Sequence, residues 1–321
     1  MVIDGTGTGT LIELLAECAR PRPEHDRILT FTTDWECEAA SRAILATIGQ
    51  ERSNVQSPPA AQSAASTGHD EVHDAFLVDY NFRLSAEKIQ WLHQLAQSQQ
   101  IETAQPGQPS KLVSDDDVVT AVFWVCLRRI RSRPGLDGTP TCTLNRFINV
   151  RHRLSPPLPA HYLGNCFLML DESCSTDGLD QPEQHTKEGF AREIASAACI
   201  LRAGLNKVDD QYVRKHLAQF SHANNWANTT IHEPDVVVTS IRRLQAYQDF
   251  GPVLGKVADF EILPYMNPNG VCTIKPDRGV NKSWEVGVTL EKEAMDELRK
   301  DPMFGWLVEL GSPLQIFRPA Q

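Results

Sequence analysis

The sequence predicts a mixed α/β fold, a mixed sheet with helices packed on it, and three observations carry the prediction. Hydrophobic residues make up 41% and charged residues 22% of the 321, the balance of a chain with a packed core. Short apolar or alternating runs of strand length are interspersed with longer stretches whose apolar residues recur every three or four positions. The two kinds follow one another without a regular βαβ repeat, which argues for a mixed sheet over a doubly wound parallel one. At 321 residues the chain exceeds what one compact core usually supports, so two domains, or one domain and part of another, are expected.

Taken in order, residues 11–20 form an amphipathic helix. Leu11, Ile12, Leu14 and Leu15 supply its apolar side, Glu13 and Glu17 its polar side, and Pro21 and Pro23 end it. Ahead of it, Asp4-Gly5-Thr6-Gly7-Thr8-Gly9-Thr10 alternates glycine with threonine. With neither G-x-G-x-x-G nor a Lys-Ser/Thr pair it reads as a tight turn feeding the helix, not as a phosphate cradle. Residues 51–75 shift to Ser, Ala, Pro, Gln and Gly without apolar periodicity, the composition of a flexible linker. His69 and His73 fall inside it, too far from any rigid element to read as a metal pair.

Residues 76–84 alternate as a strand. Ser85 then caps a helix reaching Gln97, with Ile89, Leu92 and Leu95 on its buried face. Ser114-Asp115-Asp116-Asp117 has the form of a capping box, and an apolar helix follows it, ending at Arg128, Arg129, Arg131 and Arg133. Acid at the start and base at the end complement the helix dipole without any ligand. Strands at 144–150 and 166–170, helices at 189–205 and 208–220, and a strand at 236–241 come next. Residues 270–275 and 284–290 pair as a hairpin through Pro276-Asp277-Arg278-Gly279, and a helix at 291–300 closes the series. His232-Glu233-Pro234-Asp235 is a turn before a strand.

Charge and cysteine usage narrow the class. Lys plus Arg is 31 against 41 Asp plus Glu, a net −10, and the only basic cluster is the helix-end arginines, so nucleic acid is not the expected partner. Eight cysteines lie scattered without a C-x-x-C pair, as reduced thiols would in a cytoplasmic protein. The longest apolar run, 118–127, is about half the ~20 residues of a membrane span. The opening Met1-Val2-Ile3-Asp4-Gly5 has no signal-peptide character, so a soluble protein is expected. No nucleophile elbow, Walker loop or H-E-x-x-H stands in the chain, so residue chemistry alone reaches no further than a two-part α/β protein.

Four segments carry a resemblance. Asp4-Gly5 with the following Gly/Thr stretch and helix is similar to the end of an H-x-x-x-D-G motif. Residues 114–124 are similar to an S-x-x-D-a-x-x-A-x-x-W helix. The third is Asn149-Val150-Arg151-x-Arg153-Leu154-x-Pro156-Pro157-Leu158-Pro159-x-x-Tyr162-x-Gly164-Asn165, and the fourth Asp249-Phe250-Gly251-Pro252-Val253-Leu254-Gly255. Together, in this order and over nearly the whole chain, they resemble the BAHD acyl-CoA-dependent acyltransferases, in the fungal branch that includes trichothecene 3-O-acetyltransferase.

The resemblance implies a chloramphenicol-acetyltransferase-like fold, with residues 1–50 as the end of a first domain, 51–75 as the crossover and 76–321 as a complete second domain. It implies transfer of an acyl group, acetyl by preference, from acyl-CoA to a hydroxyl or amine of a small secondary metabolite. No metal is required, and the full-length form would be a monomer. In the family a histidine takes the acceptor's proton and the aspartate four residues on orients it. Asp4 matches that aspartate, and the histidine position falls immediately before Met1, so the chain is expected to be an amino-terminally truncated form, inactive as written. The alternative is a non-catalytic paralogue that binds CoA, a metabolite or another protein. Asp249, Phe250, Gly251 and Gly255 match a structural element whose aspartate pairs with an arginine, best matched by Arg151 and next by Arg153. Lys256 and Lys275 are candidate donors to CoA phosphates, which the sequence does not single out.

Overall fold

In a computed structural model of the chain, the structure describes residues 4–21, 35–50, 76–103, 111–131, 141–159, 162–175, 186–221, 234–262, 267–279, 282–309, 311 and 314–316. The expected linker at 51–75, with His69 and His73, lies outside them, as does Arg133.

The chain begins with helices α1 (Gly5–Ala19) and α2 (Trp35–Gln50). Strand β1 (Leu77–Leu84), α3 (Ala86–Thr103), α4 (Asp115–Arg131), β2 (Thr141–Asn149) and β3 (Phe167–Ser175) follow. Next come α5 (Lys187–Asn206), α6 (Asp210–Ser221), β4 (Val236–Ser240) and the single turn α7 (Gly251–Leu254). The last part holds β5 (Val271–Ile274), β6 (Trp284–Glu291), α8 (Lys292–Lys300), α9 (Pro302–Leu307) and β7 (Leu314–Ile316). Among the described residues seven strands form one sheet in the order β3-β2-β4-β5-β6-β1-β7. It is mixed: β2, β4 and β5 run parallel, and the remaining pairs are antiparallel. The expected hairpin is the β5–β6 pair, Val271 opposite Thr289 and Ile274 opposite Val286.

Strand alternation gives the sheet one apolar face. Val78, Phe82 and Leu84 of β1, Leu144 of β2, Val236 and Val238 of β4, Cys272 and Ile274 of β5, and Val286, Val288 and Leu290 of β6 join α3, α4 and α5 in the main core. Twelve residues of α4 are buried, Val118 to Leu127 continuously, which is why its sequence reads as an apolar run with no polar stripe. At the other end Ile148, Val150, Leu154, Leu158, Cys166, Leu168 and Leu170 form a second cluster with Ile48, Leu205, Val208 and Val213. It binds the 150–166 connection to α2, α5 and α6.

The turn expected over Gly5 to Thr10 is not made; α1 is helical from Gly5 onward. Asp4 caps it, accepting the Gly7 N–H at 2.9 Å. The glycines persist there because the helix lies close on another segment: a Cβ at Gly5 would stand 3.2 Å from Ile241 Cγ2, and one at Gly9 3.5 Å from Leu244 Cγ. The amino terminus of α1 thereby sits beside the carboxyl ends of the parallel strands β2, β4 and β5, the edge at which α/β sheets commonly bind ligands.

Candidate functional site

Asp4 stands at this end of the sheet. Its backbone is extended, φ −86° and ψ 179°, as a cap requires, and the residue is 6% exposed. Arg151, 2% exposed, grips the carboxylate with both arms: Nη1 donates to Oδ2 at 2.8 Å and Nη2 to Oδ1 at 2.9 Å. The Cys166 N–H adds a bond to Oδ2 at 2.8 Å. Each carboxylate oxygen therefore accepts two hydrogen bonds, one of them from the guanidinium. Burial alone would push the Asp4 carboxyl up, but the Arg151 bonds, the Gly7 and Cys166 amides and the Arg151 charge together hold it below its ordinary value. A carboxylate so saturated and so acidic is no proton acceptor at neutral pH; it is an anchor.

Arg151 is oriented just as completely. It stands two residues past β2. Its Nε and Nη2 donate to the Tyr162 carbonyl at 3.1 and 3.0 Å, and Nη2 donates to the Gly164 carbonyl at 2.7 Å. Its own N–H is taken by Asn149 Oδ1 at 3.0 Å, while Asn149 Nδ2 donates to Thr6 Oγ1 at 2.8 Å. The Tyr162 ring lies 5.8 Å from the guanidinium. Gly164 permits this packing, since a Cβ there would fall 2.5 Å from the Tyr162 hydroxyl. Asn149, Arg151, Tyr162 and Gly164 of the third sequence segment thus form one clamp around the start of α1. Cys166 completes it with its backbone alone: burial pushes its thiol up to about 11, so it is no nucleophile. The neighbouring His152 is exposed and shifted down, by partial burial first and then by Arg153, Lys111, Arg243 and Arg151.

The pairing expected between Asp249 and Arg151 is corrected by this geometry. Arg151 is committed to Asp4, and Asp249 is exposed, its carboxylate accepting the Gly251 N–H at 2.9 Å in a turn. Arg153 does not substitute: it caps the end of α5, donating to the Leu205 and Val208 carbonyls at 3.2 and 2.6 Å. The Asp249 segment is a tight loop closed by antiparallel backbone pairing of Asp249 with Lys256 and by Phe250 N–H to Gly255 O at 2.8 Å. Gly251 and Gly255 both have positive φ, 82° and 75°. The loop meets the far end of α1, where Arg20 Nε donates to the Asp249 carbonyl at 2.8 Å and Gly251 packs on Ala19, Arg20 and Pro21. Pro252, Val253 and Leu254 at its tip are exposed.

Of the candidate phosphate donors, Lys275 is 4% exposed and spent on Glu261, Nζ at 2.7 Å from both oxygens, whereas Lys256 is exposed. The acids of α4 do more than complement a dipole. Asp117, fully buried, closes the expected capping box with Ser114 at 2.7 Å and is paired with Arg146 and Arg202. At the other end Arg128 and Arg129 pair with Glu193, and Arg131 with Asp235 at 2.6 Å. Arg146 and Arg202 stood in plain view within β2 and α5 as charges inside apolar stretches, the one signal that would have found this network. No helix among the described residues is long and apolar enough to cross a membrane.

The chain is similar to several known proteins. The O-acetyltransferase cpsE of Aspergillus campestris is 30% identical over 344 residues, covering 99% of this chain and 68% of that protein. The fumigaclavine B O-acetyltransferase easN of Aspergillus fumigatus is 30% identical over 337 residues, covering 95% and 67%. Among solved structures, F. graminearum TRI101 complexed with coenzyme A and deoxynivalenol superposes with a TM-score of 0.69 at 20% identity, covering 96% of this chain and 65% of that one. Vinorine synthase shares the fold at a TM-score of 0.55 and 17% identity, over 96% and 60%. The chain therefore spans about two thirds of the length of its relatives. The pattern of the Transferase family matches residues 1–304, and on that match and these relatives the chain belongs to the Transferase family, the BAHD acyltransferases.

Proposed function

We propose that the protein transfers an acyl group, acetyl by preference, from acyl-CoA to a hydroxyl or amine of a small secondary metabolite. The observation that carries this is the Asp4–Arg151 clamp, which fixes the start of α1 beside the ends of the parallel strands with a carboxylate held below its ordinary value, able to orient and not to take a proton at neutral pH. Such an anchor suits a reaction whose proton acceptor must be held still while a thioester carbonyl is attacked. The names of the relatives support acetyl as the group and small molecules as acceptors. On this reading residues 1–50 belong to a first domain, 51–75 to a crossover and 76–321 to a second domain, and the protein works in the cytoplasm as a monomer.

The family's base stands four positions before Asp4, outside residues 1–321, so no base is assigned within them. The test is release of free CoA from acetyl-CoA by the protein expressed from its own gene, against a panel of small alcohols and amines, with residues 1–321 as the comparison. The gene product should turn over and residues 1–321 should stay at background. No release with any acceptor would refute acyl transfer. Turnover by residues 1–321 would move the base elsewhere.

A further inference from the structure

We infer that Asp116 and Ser240 are positioning residues, a tether that sets where the amino terminus of α1 sits against the ends of the parallel strands. Asp116 belongs to the first turn of α4, yet its carboxylate is turned away from the helix. Oδ2 accepts from Arg146 Nη2 at 2.6 Å and Oδ1 accepts from the Ser240 hydroxyl at 2.5 Å. It is not free to swing, because Arg146, 6% exposed, places its other arm on Asp117 Oδ1 at 2.6 Å. Asp117 in turn receives Arg202 Nε at 2.9 Å and the Ser114 N–H at 2.8 Å. Two acids face two arginines across β2, α4 and α5, so the group is neutral and rigid. Helix capping already has its acceptors in Ser114 and Asp117; the reach of Asp116 to another strand is extra, and it ends on the last residue of β4.

The turn immediately after Ser240 explains the reach. Ile241 donates its N–H to the Ile274 carbonyl at 2.9 Å, and Leu244 and Ala246 fold back on Ile241 and Leu244 at 2.9 and 2.8 Å, which makes the turn stiff. Ile241 Cγ2 stands 3.2 Å from the Cβ that Gly5 lacks, and Leu244 Cγ and the Gln245 nitrogen stand 3.5 and 3.7 Å from the one Gly9 lacks. The glycine face of α1 lies against this turn, which leaves little room for a side chain at Gly5. Asp4 is the residue before Gly5, so Arg151 grips it from one side and the tethered turn supports it from the other. A shift of Ile241 is expected to move the start of α1, and with it Asp4, because the two segments lie too close to hold a side chain at Gly5 without adjustment.

The tether is tested by hydrogen exchange on residues 1–321. Ser240→Ala should speed exchange of the Gly7 and Thr8 amides, both bonded to Asp4, roughly fivefold, the loss of about one hydrogen bond's hold. Ser240→Thr, which keeps the hydroxyl, should restore the parent rates. Unchanged exchange in α1, or a rise spread equally over β4, β5 and α4, overturns the inference, the second outcome marking a general structural role. The catalytic consequence rests on the acyl-transfer reading: in the gene product Ser240→Ala should lower kcat and leave KM for acetyl-CoA unchanged. A parent protein with no turnover would refute acyl transfer itself, and the exchange measurement would still decide for or against the tether.

Discussion

Replacing Arg151 by alanine removes the bidentate grip on Asp4 together with the bonds to the Tyr162 and Gly164 carbonyls. Asp4 is left buried with only the Gly7 and Cys166 amides. Breaking a buried ion pair from one side costs about 3–5 kcal/mol, because the remaining charge stays desolvated. The two carbonyls, losing a charged donor, place the expected loss toward the upper part of that range. Urea unfolding followed by circular dichroism gives the loss as the midpoint change multiplied by a shared slope. Asp4→Ala combined with Arg151→Ala should recover at least about 1 kcal/mol relative to the sum of the single losses, since no uncompensated charge remains. The sign with pH comes from the depressed Asp4 carboxyl: its contribution is present above the unfolded value of 3.8 and is lost as pH falls through the lower folded value. In Arg151→Ala that acid dependence should weaken or reverse, because burial alone raises the carboxyl. A single-variant loss below about 1 kcal/mol, or strictly additive losses, would refute the clamp.

Other expectations rest on the same contacts. Gly251→Ala should cost more than Gly255→Ala by about 1 kcal/mol in the same assay, since both need positive φ but only Gly251 has neighbours, at 3.2–3.3 Å. Asp249→Asn should be nearly neutral, since the amide oxygen still accepts the Gly251 N–H; a loss above about 2 kcal/mol would restore a buried partner for Asp249. Asp117→Ala, which strands Arg146 and Arg202, should cost about 3–5 kcal/mol by urea unfolding, and a loss under about 1 would deny the network. Residues 1–321 should self-associate in sedimentation at micromolar concentration, and serine at Val253 and Leu254, 89% and 70% exposed, should reduce it. A monodisperse parent would contradict this.

Local periodicity made most of the fold legible. The apolar run of α4, the alternation of β1 and the pairing of β5 with β6 each depend on near neighbours, and each stands where the sequence places it. The start of α1 misled because glycine and threonine are poor helix formers and their residence there is decided by a segment more than two hundred residues away. Helix α2 passed unread because its apolar residues follow no clear stripe. The partner of Arg151 was not legible for the same reason: Asp4 and Asp249 are both acids in motif-like settings, and only the path of the chain chooses between them. The motifs were visible as groups; their wiring was not.

The clamp also carries a consequence for how the protein is made. It joins residues 147 and 162 positions apart, and Gly5 lies against Ile241, still farther along the chain, with little room for a side chain between them. Loops of that length close only after the segments between them have found their places. Refolding should therefore regain sheet signal before Gly7 becomes protected, as pulse-labelled exchange would show. A chain damaged anywhere between β2 and β5 would then lose its anchor even with α1 intact, so the anchor reports on the completeness of the fold.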